Sequence, residues 1–211
     1  MSPSALRRPP SPIAEQAALN AAYDRLARAA HLLPIKVTAF YGEKLKAEAA
    51  ALGHTGGPLH RVVYPGRERM EQRAPGEVAD FVDDRSNMKT ASKAIVQKYA
   101  DRVLFLVTPL CAAHCQYCFR QDVLTEMYGE DPADLDQTLG ALVDHVRADP
   151  AIREVILSGG DPLTLSPAAL EKVLTRLQAL PQLNSIRLHT RCAVFAPQFF
   201  DKGDKIRLLA G

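Results

Sequence analysis

Three cysteines, Cys111, Cys115 and Cys118, lie close together in TPLCAAHCQYCFRQ, with three and then two residues between them. Three thiolates on one short loop can converge on one face of a metal centre, and thiolate ligands suit zinc or iron–sulfur clusters. Structural zinc wants four ligands, usually from paired knuckles, and no second pair follows here. His114 sits between two of the cysteines, where closing a tetrahedron is awkward. Three cysteines without a fourth ligand suit a [4Fe–4S] cluster with one iron open to bind and activate a small molecule. Zinc and a redox-sensing thiol group are the alternatives. A second motif, Ser158-Gly159-Gly160-Asp161-Pro162, pairs glycines that let backbone approach a ligand with a carboxylate able to accept from an ammonium. By itself that string is an ordinary strand-to-helix turn.

Other reactive side chains carry less. Cys192 is out of step with the cluster spacing and reads as a small buried apolar residue. His31, His54, His60 and His145 form no cluster. Lys202 and Lys205 read as solvated surface. His189 and Arg191 end a strand on the side where ligands collect, and Phe119 is placed to shield the cysteine loop from solvent.

The cysteines directly follow Arg102–Thr108 (RVLFLVT), a continuous apolar run with the pattern of a strand buried on both faces. Glu154–Leu157 is a second such strand, leading into SGGDP, and Ser185–His189 is a third. Between them, Asp134–Val146 and Ser166–Ala179 carry Leu and Val at helical spacing, the latter opening on a Ser-Pro cap. Strand, helix, strand, helix, strand predicts βαβ units and a parallel sheet, whose ligands collect at the carboxyl ends of the strands. Upstream, residues 1–12 read as a loose, proline-rich tail. Helices are expected over Ile13–Ala30 and from Thr38 to Leu52, the latter ended by Gly53. A long irregular segment is expected over residues 54–89, and one or two helical turns over Ser92–Tyr99. The organisation expected is a tail over 1–12, a helical extension over 13–96 and an α/β core over 97–211. Residues 102–211 hold about three βα units, whereas an eight-unit barrel needs roughly 250 residues. The core is therefore expected to be an incomplete (β/α) barrel whose last strand has an open edge, a feature that favours pairing with another copy.

Composition narrows the class. A hydrophobic fraction of 47% against 24% charged residues is that of a globular chain rather than a disordered one. A net charge of +2 is too balanced to suggest nucleic acid or a membrane surface as partner. No apolar run reaches the length of a bilayer span and no signal-peptide core is present, so a reducing cytoplasm is the expected compartment.

CxxxCxxC after the first strand of such a core, with Tyr117 just before the third cysteine, resembles the radical S-adenosylmethionine (SAM) superfamily. There the open iron chelates SAM, and cleavage gives a 5′-deoxyadenosyl radical. SGGDP resembles that superfamily's turn against the SAM amino group, which assigns Ser158, Gly159, Gly160 and Asp161 to SAM. A narrower resemblance, carried by KYADRVLFLVT, CQYCFRQ, VILSGGDPL and IRLHTR, is to the lysine 2,3-aminomutase family. It implies pyridoxal phosphate (PLP) beside the cluster, a 1,2-amino shift on an amino acid, lysine by default, and an electron donor such as flavodoxin or ferredoxin. By motif position Arg120 corresponds to the arginine that binds the substrate carboxylate, and Arg102 and Lys98 to the positions that hold the PLP phosphate. Lys98 departs from the family's usual arginine. The PLP lysine is expected beyond residue 211, so no catalytic residue is assigned within the chain. Other readings are a radical SAM enzyme of another reaction type and a truncated, cluster-binding fragment without turnover.

Overall fold

A computed structural model describes residues 12–30, 32–71, 75, 78, 80–129, 135–201 and 203–210. The tail expected over 1–12 lies outside them except for Pro12, which opens the first helix. Five strands form one sheet in sequence order: β1 (Met88–Lys89), β2 (Ser92–Tyr99), β3 (Arg102–Thr108), β4 (Glu154–Gly159) and β5 (Ser185–Leu188). The three apolar runs pair in parallel, with Val103 opposite Val155 and Phe105 opposite Leu157, then Val155 opposite Ile186. Val103, Phe105, Val155 and Leu157 share one face of the sheet and are fully buried. On the other face Leu104 and Ile156 are half-buried, whereas Leu106 and Ser158, toward the carboxyl ends, are buried, so the expected burial on both faces holds only there. Among the described residues no strand pairs with the far edge of β5.

Helix α6 (Leu135–Ala148) buries Leu139, Leu142, Val143 and Val146, and α7 (Pro167–Gln178) buries Leu170, Val173, Leu174 and Leu177 in the same core as the sheet. Each fully buried leucine or valine contributes about 1.5–3 kcal/mol relative to exposure. Ser166 caps α7 by accepting from the Ala169 N–H at 3.2 Å, the role its sequence position suggested. Shorter helices complete the C-terminal part: α5 (Gln121–Gly129), α8 (Cys192–Phe195), α9 (Gln198–Asp201) and α10 (Asp204–Ala210). Upstream lie α1 (Pro12–Ala29), α2 (Ala39–Leu52), α3 (Pro58–Val63) and α4 (Arg67–Glu71). Gly53 ends α2 at φ 71°, a left-handed cap that glycine adopts without strain.

Two expectations are corrected. Ser92–Tyr99 is not helical: it is β2, antiparallel to β3 across a two-residue turn at Ala100-Asp101. The β-branched Ile95 and Val96 are buried against the sheet, and pairing with β3 overrides the helix-forming residues around them. The sheet therefore begins upstream of the division expected at residue 97, and β2 crosses it. Residues 54–89 are likewise less irregular than expected, holding α3, α4, a 3₁₀ turn at Arg85–Asn87 and β1.

Candidate functional site

The cysteine loop leaves the carboxyl end of β3 and is held in place by the N-terminal residues. Lys36 Nζ donates to the Cys111 carbonyl at 2.6 Å, the His114 N–H to the Lys36 carbonyl at 3.0 Å, and the Gln116 N–H to the Val62 carbonyl at 2.8 Å. Ala113 is buried with Tyr41 and Leu45 of α2, Val63 of α3 and Phe195 of α8. The loop thus has an apolar anchor and three hydrogen bonds from chain some fifty to eighty residues upstream. His114 is not aimed at the cysteines through Nδ1, which lies 2.7 Å from the Pro34 carbonyl. Burial lowers its pKa and favours the neutral ring.

Cys111, Cys115 and Cys118 line one cavity of about 430 Å³, together with Ser158, Gly159, Gly160, Asp161, Arg120 and Arg191. That volume suits a small-molecule ligand. All three thiols are free, and burial pushes them all up, Cys111 to about 12, with the neighbouring Cys118, Asp161 and Cys115 adding to it. Loading a metal centre here releases protons. No group of three His, Cys, Asp or Glu among the described residues is gathered tightly enough to hold one metal ion. Zn–S bonds of about 2.3 Å would draw three thiolates close around a single ion. A cubane gives each cysteine its own iron, and three separate thiols facing one cavity fit that donor set.

The SGGDP turn meets the loop from β4. Its glycines serve the approach of one backbone to another: the Gly160 N–H donates to Thr108 O at 2.7 Å and the Asp161 N–H to Leu110 O at 2.7 Å. A Cβ on Gly160 would overlap the Leu110 carbonyl, and Gly159 sits at φ 110°. Asp161 is buried and spends its carboxylate internally. It accepts from the Leu163 N–H at 3.0 Å, from the Thr190 hydroxyl at 2.7 and 2.9 Å, and from the Arg191 N–H at 2.6 Å. It therefore ties the turn after β4 to the residues after β5. Arg191, so fixed, places Nη1 3.6 Å from Cys115 Sγ, hydrogen-bonds the Tyr117 hydroxyl and stacks 4.8 Å from that ring.

The remaining assigned residues part company. Arg120 lines the cavity and lies 4.6 Å above the Phe119 ring, while Phe119 itself packs edge-on against Phe81 and is 42% exposed. Arg120 Nε donates to Asp84 Oδ2 at 2.6 Å. Lys98 Nζ lies 2.8 Å from Asp84 Oδ1, off the hydrogen-bonding direction, and donates to the Val82 carbonyl, so charge rather than a directed bond joins it to Asp84. Arg102 is not brought to these residues. It stands at the start of β3, the strand end opposite the cysteine loop, paired with Asp101 at 2.8 Å and with Glu154 at 3.8 Å. Lys98 and Arg102 thus take separate acidic partners, Asp84 for the one and Asp101 and Glu154 for the other. Lys205 is buried rather than solvated: its Nζ donates to the Leu163 carbonyl and sits 4.5 Å above Phe199, because α10 packs back beside the turn after β4. Lys202 lies outside the described residues. Cys192 is buried in the core, as expected. Sequence reasoning missed Asp84 and Lys36, and found Tyr117 only as part of the cysteine motif, not as the partner of Arg191. Asp84 lies in an aperiodic acidic run, FVDDRS, where no pattern distinguishes it from its exposed neighbour Asp83.

Residues 101–193 match a family described as a 4Fe-4S single cluster domain. The chain is 32% identical over 145 residues to the L-lysine 2,3-aminomutase of Escherichia coli, covering 69% of this chain and 40% of that protein. It is 39% identical over 126 residues to that of Haemophilus influenzae, covering 60% of this chain and 36% of that protein. It is 38% identical over 104 residues to that of Bacillus subtilis, covering 49% and 21% respectively. The chain thus spans two fifths or less of the length of these relatives. These matches support an iron–sulfur cluster and SAM as cofactors.

Proposed function

We propose that this chain, a relative of the radical SAM lysine 2,3-aminomutase family, forms the cluster- and SAM-binding portion of an isomerase that shifts an amino group on lysine or a similar amino acid. The five-stranded sheet would then be the first part of a (β/α) barrel of radical SAM type. The observation that carries the reading is the meeting of three free cysteines, the SGGDP backbone and two arginines on one cavity. Cys111, Cys115 and Cys118 would hold three irons of the cluster, leaving the fourth without a protein thiolate to bind SAM. When bound, the cluster and SAM supply a carbon radical able to take a hydrogen atom from the substrate. The chain's own residues do the positioning. Gly159 and Gly160 bring the turn after β4 against the loop, Arg191 sets a positive charge beside Cys115, and Arg120 offers a guanidinium fork to the substrate carboxylate. No helix among the described residues is long and apolar enough to cross a membrane. A cytoplasmic setting with reduced flavodoxin or ferredoxin as electron donor is part of the proposal.

A second reading, in which this chain binds cluster and SAM without completing a rearrangement, is favoured by the acidic partners that Lys98 and Arg102 already take. Anaerobic reconstitution with iron and sulfide, iron counting and EPR of the dithionite-reduced protein test the site. About four irons per chain and a reduced signal that changes on adding SAM are expected for a [4Fe–4S] centre with an open iron. No cluster, or one blind to SAM, overturns both readings. Incubation with lysine, SAM, PLP and reductant then separates them by the presence or absence of a rearranged amino acid.

A further inference from the structure

We propose that Asp84 is a positioning residue that aims Arg120 at the carboxylate of the substrate, an inference that rests on the amino-acid substrate reading above. Asp84 is wholly buried, and its carboxylate lies between two cations, Arg120 Nε at 2.6 Å and Lys98 Nζ at 2.8 Å. A guanidinium carries five N–H donors in a planar fork. Here Nε is taken by Asp84 and one face by Phe119, so the plane of the group is set from two sides. Among the described residues no hydrogen bond reaches the terminal Nη atoms, and Arg120 lines the cavity with the three cysteines. The Nη edge is the part that matches a carboxylate in bidentate fashion.

The segment carrying Asp84 is built to hold it still. The Asp80 carboxylate accepts from the N–H groups of Asp84 at 3.0 Å and Arg85 at 2.8 Å, and the Asp83 N–H donates to Asp80 O at 3.0 Å. Asp83 takes a φ of 56°, a left-handed conformation that few residues other than glycine adopt and aspartate tolerates. Arg85 then ties the segment to Asp122 and Glu126 of α5, the helix that follows Arg120 directly. The loop bearing the acceptor and the helix after the arginine are fastened to each other, so their relative placement survives the arrival of a ligand.

The test titrates the reconstituted, SAM-loaded chain with L-lysine and with 1,5-diaminopentane, which has both amines and no carboxylate. The wild-type chain is expected to prefer lysine, and Arg120→Ala to lose that preference. Asp84→Asn, nearly isosteric, is expected to weaken lysine roughly tenfold while leaving the diamine unchanged, the scale of loss that a small misplacement produces. The double variant Asp84→Asn/Lys98→Met removes the charge imbalance and guards against misfolding of the single one, with circular dichroism as the check. It is expected to keep the weakened lysine binding. Recovery to wild-type affinity in the double variant would mean that Asp84 only neutralises Lys98, and would overturn the proposal. An unchanged lysine affinity in Asp84→Asn, with Arg120→Ala still defective, would overturn the positioning role and leave the substrate reading standing. A wild-type chain that does not distinguish the two ligands would overturn that reading and the inference with it.

Discussion

Replacing Asp161 by alanine removes the acceptor that joins the turn after β4 to the residues after β5. Its carboxylate, 4% exposed, serves two backbone N–H groups, of Leu163 and Arg191, and the Thr190 hydroxyl. An orphaned buried donor costs about 1–3 kcal/mol. Leu163 is buried and its N–H bears the full cost, whereas Arg191 and Thr190 border the cavity and can turn to water. The sum is then about 3–4 kcal/mol for the alanine variant, and about half that for Asp161→Asn, which keeps one oxygen. Against a total stability of about 5–15 kcal/mol, the loss is easily measured. Urea unfolding of the apo chain under reducing, anaerobic conditions should show the midpoint falling in the order wild type, Asn, Ala with an unchanged slope. SAM affinity should fall in parallel, because Arg191 is released from Cys115. An alanine variant within 1 kcal/mol of wild type that has lost only SAM affinity would refute the reasoning. The carboxylate would then be free for the SAM amino group, the role that the motif alone implies.

Serine at Cys111, Cys115 or Cys118 should reduce bound iron to background on reconstitution. Serine at the buried Cys192 should keep the iron and lower stability by about 1–3 kcal/mol, the cost of a buried hydroxyl. Gly160→Ala should lower the melting temperature even without cluster, since its Cβ overlaps the Leu110 carbonyl and overpacking of this kind costs about 1–3 kcal/mol. The Glu154 carboxyl is held below its ordinary value by the Arg187 guanidinium, with Arg102 adding to it. The stability it contributes is therefore complete above its unfolded value near 4.5 and is lost as the pH falls through the lowered one. A pH series of melting temperatures below pH 5 should show a shallower decline for Glu154→Gln.

The parallel half of the fold was legible because its signals are periodic and local. RVLFLVT and EVIL have no polar face to hesitate over, and α6 and α7 place leucine and valine on one side. The cysteine spacing and SGGDP were legible for another reason: chemistry constrains residue type and spacing together. The edge hairpin was not. ASKAIVQKYA carries helix formers and one β-branched pair, and only pairing with β3, a contact absent from local sequence, decides for a strand. Arg102 shows the same limit within the site. Its neighbourhood in sequence matches a functional string, yet the first residue of β3 faces the end of the sheet away from the cavity. Asp161 was found for its type, and its partners were invisible, because Thr190 and Arg191 lie some thirty residues later.

The first ninety residues are more than an extension added to a finished site. A loop with three cysteines at the end of a strand has no internal hydrogen-bonded ladder, and the one turn within it is the Cys118 N–H to the Cys115 carbonyl at 3.1 Å. Besides the turn after β4 and Arg191, it is held by Pro34 and Lys36 before α2, by Val62 and Val63 at the end of α3, and by Tyr41 against Phe195 at 4.8 Å. Asp84 repeats the arrangement on the other flank, where the segment before β1 fixes Arg120. A metal-binding loop must hold its thiols apart at the spacing of a cluster before the cluster arrives, or the binding energy goes into ordering the chain. The N-terminal segments supply that order partly through the carbonyls of Pro34, Lys36, Val62 and Val63, which any sequence provides, and partly through the side chains of Lys36, Tyr41 and Asp84, which no local pattern marks. This is why the cysteines announce themselves in the sequence and their supports do not.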